Sequence, residues 1–204
     1  MENNLWRTPV TLVGNSVCLE PLTEAHVPAL AIVGCDDRIW SLMRYGLVRT
    51  QEDMRLWVHN LLKDQAAGTA LPFAVIHLSS NRVAGVTRYM EIRPEHRGLE
   101  IGGTWYGLDF QRTVVNSECK YLLLRYAFEV LGAIRVQFKA DLRNDRSWHA
   151  IERIGAKREG VFRNHYILPD GVIRDSVFYS IVDREWPDVK ARLEKILNYK
   201  MRKT

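Results

Sequence analysis

Asp141-Leu-Arg-Asn144-Asp-Arg-Ser147-Trp-His-Ala-Ile-Glu152-Arg-Ile-Gly155-Ala156 reads as a strand end, a polar turn and one short helix stopped by a glycine. Asn144 or Asp145 can cap that helix by accepting an orphan backbone N–H. Ala150, Ile151 and Ile154 place an apolar stripe on the turns that follow, and Gly155 supplies the left-handed stop. The segment therefore delivers Asn144 and Ser147 to one end of a sheet, where a ligand can meet them. Asn and Ser are also ordinary caps, so the stretch alone does not separate a site from a plain strand–helix junction.

The flanking sequence supplies the rest of the sheet. Ser16 to Leu22 alternates as a first strand, and Thr23 caps a helix through about Val33. Asp36 to Arg49 is a loop carrying Trp40, Met43 and Tyr45. Thr50 to Asp53 resembles a capping box and opens a second helix, with Met54, Trp57, Val58, Leu61 and Leu62 on one face. Phe73–Leu78 and Arg82–Ile92 form a hairpin around Ser79-Ser-Asn81. Leu99–Tyr106 is a further strand, Asn116–Leu131 a strong helix, and Val136–Asp141 the strand that enters the stretch quoted above. Lys157–Leu168 and Val172–Val182 are joined at Pro169-Asp170-Gly171, and a last helix begins near Pro187. This order predicts an α+β (mixed α/β) fold, with one mixed sheet and helices on both faces.

Composition narrows the function classes. With 204 residues, 47% apolar and 26% charged, the chain has ordinary globular values and the length for one domain with a real core. We read 1–204 as a single domain, with a core over about 16–197 and a basic tail over 198–204. The net charge of +5 sits almost wholly between Lys190 and Thr204, and residues 1–189 are neutral on balance. A nucleic-acid footprint should cover a face of the folded body, so no nucleic-acid partner is expected. Cys18, Cys35 and Cys119 are odd in number and far apart, which indicates neither a metal site nor a disulfide framework. Reduced thiols point to the cytoplasm. No signal segment is expected, and no apolar run approaches the ~18 residues of a membrane span.

Four pieces resemble the GNAT superfamily of acyl-CoA-dependent N-acyltransferases, and most closely its RimJ/RimL group. They are Leu99-Glu-Ile-Gly102 with Thr104-Trp105-Tyr106, Phe110-Gln111 through Lys120, Asn144-x-x-Ser147 through Glu152-x-x-Gly155, and Arg158-Glu159-Gly160-Val161 with the Asp170-Gly171 hairpin and Asp175 to Ile181. Their order covers the chain from about Val17 to Leu197. The resemblance implies a central, mostly antiparallel sheet of about seven strands, splayed in the middle where the pantetheine arm of acetyl-CoA lies. Backbone groups of Thr104, Trp105 and Tyr106 would hold that arm, and Asn144 and Ser147 would approach from the neighbouring strand end. Gln111, Arg112, Thr113, Val114, Val115 and Asn116 would receive the pyrophosphate on amides at a helix start, with charge from Arg112 and Lys120. The superfamily pattern Gln/Arg-x-x-Gly-x-Gly/Ala becomes Gln111-x-x-Val114-x-Asn116 here. Glycine permits positive φ and valine is stiff, so either a weaker hold on the cofactor or a different loop shape is expected.

The chemistry follows from acylating an amine with a thioester. An α-amine titrates near ~7.7–8.0 and a lysine near ~10.4, so an α-amine needs only a modest base at neutral pH. Many superfamily members place a tyrosine acid where this chain has Ile151. Ser147 is the replacement candidate, to hydrogen-bond the departing sulfur. Glu100 is the candidate base, with its strand position placing it on the face of Gly102 and Thr104. Trp40, Tyr45, His165 and Tyr166 are candidates for the acceptor side, with the loop 36–49 facing the closing hairpin. The resemblance implies transfer of an acetyl group to a protein N-terminal α-amine. A small amine acceptor and a non-catalytic acyl-CoA-binding module stand as alternatives, no metal is expected, and a homodimer stays open.

Overall fold

The computed structural model describes residues 2–201, with side chains placed for 5–198. Residues 202–204 of the expected basic tail lie outside them. Eight strands form one sheet in the order β1-β2-β3-β4-β5-β6-β8-β7. They are β1 (Leu12–Val13), β2 (Val17–Pro21), β3 (Ala70–His77), β4 (Arg82–Arg93), β5 (Gly98–Tyr106), β6 (Arg135–Asp141), β7 (Lys157–Ile167) and β8 (Ile173–Val182). Every neighbouring pair is antiparallel except β5–β6. The eighth strand is the two-residue β1, too short to carry a readable period. No described helix is long and apolar enough to cross a membrane.

Helices α1 (Val27–Gly34), α2 (Asp37–Trp40) and α3 (Gln51–Ala66) lie on one face. They bury Leu30, Trp40, Met54, Trp57 and Val58 against Ala74, Val86 and Trp105 of the sheet. Helix α3 starts as its sequence dictates. Thr50 Oγ1 accepts from the Asp53 N–H at 3.0 Å, and Asp53 accepts from the Thr50 N–H at 2.9 Å. Helices α4 (Val114–Arg125), α5 (Asp145–Arg153) and α6 (Trp186–Met201) cover the other face. Their core joins Val115, Leu122, Leu123, Ile151, Ile154, Val189 and Leu193 to inward residues of most strands. That core runs under both halves of the sheet, whereas the α1–α3 core stops at β5.

Helix α4 begins two residues before the expected Asn116, because Thr113 is its cap. Thr113 Oγ1 accepts from the Val115 N–H at 3.3 Å. The Glu118 carboxylate ties this helix to the chain start by accepting from the backbone N–H groups of Asn15, Ser16 and Val17 at 2.7, 2.8 and 3.0 Å. Those donors lie in the β1–β2 turn and at the first residue of β2, and would otherwise be orphaned.

Candidate active site

Strands β5 and β6 share only three register pairs, Gly98↔Arg135, Leu99↔Val136 and Glu100↔Gln137. Beyond the last pair β5 continues to Tyr106 and β6 to Asp141. The two strands therefore part, and the β5 edge over 101–106 turns unpaired backbone groups into the gap. Glu100 stands at the fork. The residue is 1% exposed, and its carboxylate accepts from Gln137 Nε2 at 3.0 Å and pairs with Lys139 Nζ at 3.3 Å, both at Oε2. A Cβ on Gly102 would lie 2.9 Å from Glu100 Oε1, so the missing side chain gives this carboxylate its room.

Thr104 is not on the face of Glu100. Gly103 sits at φ +56°, and the register jumps from Arg88↔Gly102 to Val86↔Trp105. This bulge adds a residue to β5 and reverses its alternation. Thr104 Oγ1 therefore faces α4, where it accepts from Lys120 Nζ at 2.9 Å and meets Thr87 Oγ1 at 2.8 Å. Lys120 lies two turns inside α4, buried under the sheet and away from the helix start. Burial pulls its pKa down to about 8. The indole of Trp105 packs into the α1–α3 core between Trp40 and Trp57, with centroids 5.4 and 5.9 Å away. Tyr106 is buried in the opposite core. Both residues face the gap with their backbones alone.

The turn before α4 is shaped by Arg112, which holds φ +60°. Val114 is the first helical residue, and its backbone is not left-handed. Gln111 is fixed from two sides. Its Nε2 donates to the Tyr106 carbonyl at 2.9 Å, and its Oε1 accepts from Arg146 Nη1 at 2.8 Å. Arg146 belongs to the first turn of α5, so the two helix starts meet here and bring Arg112 and Arg146 to one end of the gap. Asn116 is half-buried on the first turn. At α5, Asn144 is the cap and its Oδ1 accepts from the Ser147 N–H at 3.1 Å. The half-buried Ser147 hydroxyl makes no hydrogen bond among the described residues.

On the acceptor side one expectation fails. Trp40 is 1% exposed, and its Nε1 donates to the Gly34 carbonyl at 2.6 Å. It packs edge-on against Trp57 and at a tilt against Trp105 as core and walls no slot. Tyr45 and Tyr166 do come together, joined by Arg44. Its guanidinium lies 5.2 Å from the Tyr45 ring and 5.3 Å from the Tyr166 ring. His165 is half-buried against Phe162 and Phe178, and burial together with Lys139 lowers its pKa. Arg88 donates to the Tyr45 hydroxyl.

Arg44, Arg88, Arg146, Lys139 and Gln137 were not singled out from the sequence. The alternation of β6 was a usable signal. Val136, Phe138 and Ala140 face the α4 core, so Gln137, Lys139 and Asp141 must face the other side. Arg88 is the one charged residue in the stretch Val83–Met90, another readable anomaly.

Residues 16–157 match the family described as acetyltransferase (GNAT) domain. The chain belongs to the GNAT acetyltransferase family. Among its GNAT relatives, a Bacillus subtilis protein carrying the name "Putative ribosomal N-acetyltransferase YdaF" is 32% identical over 55% of this chain and 61% of its own length. The aligned part thus spans less than two thirds of that relative. A solved structure from T. thermophilus with an acetyltransferase name is 43% identical, with a TM-score of 0.85 over 93% of this chain and 98% of that one. A GCN5-related N-acetyltransferase from Brucella melitensis is 29% identical, with a TM-score of 0.87 over 93% and 86% of the two chains. Mycobacterium smegmatis RimJ, solved in complex with CoA-disulfide, shares the fold at 18% identity and a TM-score of 0.78.

Proposed function

We propose that the protein is an acetyl-CoA-dependent N-acetyltransferase of the cytoplasm that acts, as one domain, on the α-amine of a protein N-terminus. The observation that carries this reading is the parting of β5 and β6 immediately after Glu100↔Gln137, which leaves an unpaired strand edge beside a buried carboxylate. The residues fit the cofactor. The β5 edge over 101–106 offers amides and carbonyls to an extended pantetheine arm. The first turn of α4 offers orphan N–H groups to a pyrophosphate, with Arg112 and Arg146 beside it. The CoA-disulfide complex of RimJ and the ribosomal name of YdaF support the cofactor and the acceptor class.

Acetyl-CoA supplies an acyl carbon activated as a thioester. The amine nitrogen bonds to that carbon and the C–S bond breaks, with its electron pair leaving on sulfur. Glu100 takes the proton released by the nitrogen, directly or through water, from its place at the fork. The Ser147 hydroxyl, without a hydrogen bond among the described residues, donates to the leaving sulfur. Gln137 and Lys139 fix the Glu100 side chain, and the rate enhancement rests mainly on holding amine and thioester in line. Free-thiol release from acetyl-CoA in the presence of Ala-, Ser- and Met-starting peptides tests the reading. Turnover is expected, with Glu100→Gln lowering kcat at least ~100-fold. Silence across all three peptides sinks it.

A further inference from the structure

Two tyrosines at the fork gather four cations. Arg44 and Arg88 lie 5.2 and 5.3 Å from the Tyr45 ring. Arg44, Lys139 and Arg174 lie 5.3, 5.6 and 5.8 Å from the Tyr166 ring. Arg88 is 2% exposed and Arg174 6%. Burying charge is costly unless it is paired, and here the pairing is incomplete. Lys139 has Glu100 at 3.3 Å. Asp141 is held at 2.7 Å by Arg143, which leaves Arg174 only a 3.7 Å approach to it. Asp64 reaches Arg88 at 3.5 Å from a half-exposed position. Arg44 has no carboxylate partner among the described residues. Among the described residues, neither the buried Nε of Arg88 nor that of Arg174 makes a hydrogen bond.

The surplus lies beside Glu100. Position sets that link: Arg88 is registered opposite Gly102, and Arg44 and His165 both feel the Glu100 charge. A polycationic amine would meet like charge here. An anion would complete the missing hydrogen bonds, and guanidinium groups bind carboxylates in a two-point fork.

We propose that Arg44, Arg88 and Arg174 form an anion subsite that holds a carboxylate of the substrate next to the reacting amine. This rests on the acyl-transfer reading above. The carboxylate arrives on an acidic residue of the acceptor or on a dicarboxylic acyl chain, and one experiment separates the two sources.

The full chain is assayed for thiol release with acetyl-CoA and with succinyl-CoA, against peptides whose second residue is Glu, Ala or Lys. With acetyl-CoA, kcat/KM for the Glu peptide is expected to exceed that for the Ala peptide at least tenfold, and Lys to rank last. Arg44→Gln should bring the Glu-to-Ala ratio within twofold, and Arg44→Lys should restore part of it. A tenfold preference for succinyl-CoA that disappears in Arg44→Gln keeps the subsite and assigns its carboxylate to the acyl chain. Calorimetric titration with the N-acetylated Glu and Ala product peptides needs no turnover. The wild-type chain should bind the Glu product at least tenfold more tightly than Arg44→Gln does. Equal rates across peptides and thioesters, with equal product binding by the two chains, overturn the subsite. Absent turnover with preserved charge preference in product binding overturns the acyl-transfer reading and leaves the subsite standing.

Discussion

At the scale of single residues, Gly103 decides which side chains of β5 face the fork and which face α4. Its left-handed backbone creates the bulge that turns Thr104 toward α4 and leaves Glu100 in the fork. A Cβ there would lie 2.5 Å from Arg88 Nε. Gly103→Ala therefore combines strain at positive φ, of order 1–3 kcal/mol, with displacement of a buried guanidinium. We expect a lower Tm and a loss of activity larger than the stability loss explains, measured by thermal unfolding beside thiol release. The bulge was not legible in the sequence. Gly102-Gly103 signals a special backbone, but two adjacent glycines do not say which one takes the extra residue. Strict alternation from Glu100 consequently misplaced Thr104. Lys120 gives a second test. Its folded pKa near 8 lies below the ordinary lysine value of 10.5, so between those values the unfolded chain binds more protons and stability rises with pH. Cys119, pushed up to about 12 from 9.0 by burial, acts oppositely above pH 9. Denaturant titrations from pH 7 to 9 should show stability rising by roughly 1 kcal/mol over the last unit, which is about the limit for one proton. Lys120→Met should flatten that rise.

At the scale of elements, the two helix starts that meet through Gln111 and Arg146 set the end of the gap. The sequence showed both helices, and the caps at Thr50 and Asn144 follow from local chemistry that any reader of the chain can apply. The start of α4 was harder to place, because Thr113, Asn116 and Ser117 are all credible caps within five residues. Only packing of Val115 and Cys119 into the core selects Thr113. The contact between the helices was not legible, since Arg146 and Gln111 are 35 residues apart. Arg146→Ala removes one cation and one tether from this corner without touching a buried apolar group. We expect the Kd for CoA to rise about tenfold, equivalent to ~1.4 kcal/mol, with Tm shifted by no more than a few degrees. Calorimetric titration with CoA checks it. Unchanged affinity would place the phosphates elsewhere.

At the scale of the whole molecule, the sheet is two antiparallel halves joined by a seam of three register pairs. The order of strands and helices was legible because each element carries its own period and stop signal. The depth of the seam was not, because β5 and β6 both read as ordinary strands along their full length. What holds the halves together is the core under α4, α5 and α6, which spans both. The α1–α3 layer covers only one half, and its edge is where the cations around Tyr45 and Tyr166 collect. A fold built this way leaves the backbone amides of 101–106 on the gap side without strand partners, although the side chains of Ile101, Trp105 and Tyr106 are buried. Hydrogen exchange distinguishes those two conditions, since protection follows the amide's own partner and local opening. Amides of β5 that pair with β4 should exchange slowly with or without ligand. Gap-side amides of 101–106 should exchange fast in the free protein and slow at least tenfold on adding CoA, together with those of 113–116. Residues 73–77 of β3, paired on both sides, serve as the internal control and should not change. Slow exchange of every 101–106 amide in the free protein, indifferent to CoA, would mean that the seam is closed and that the thioester binds elsewhere.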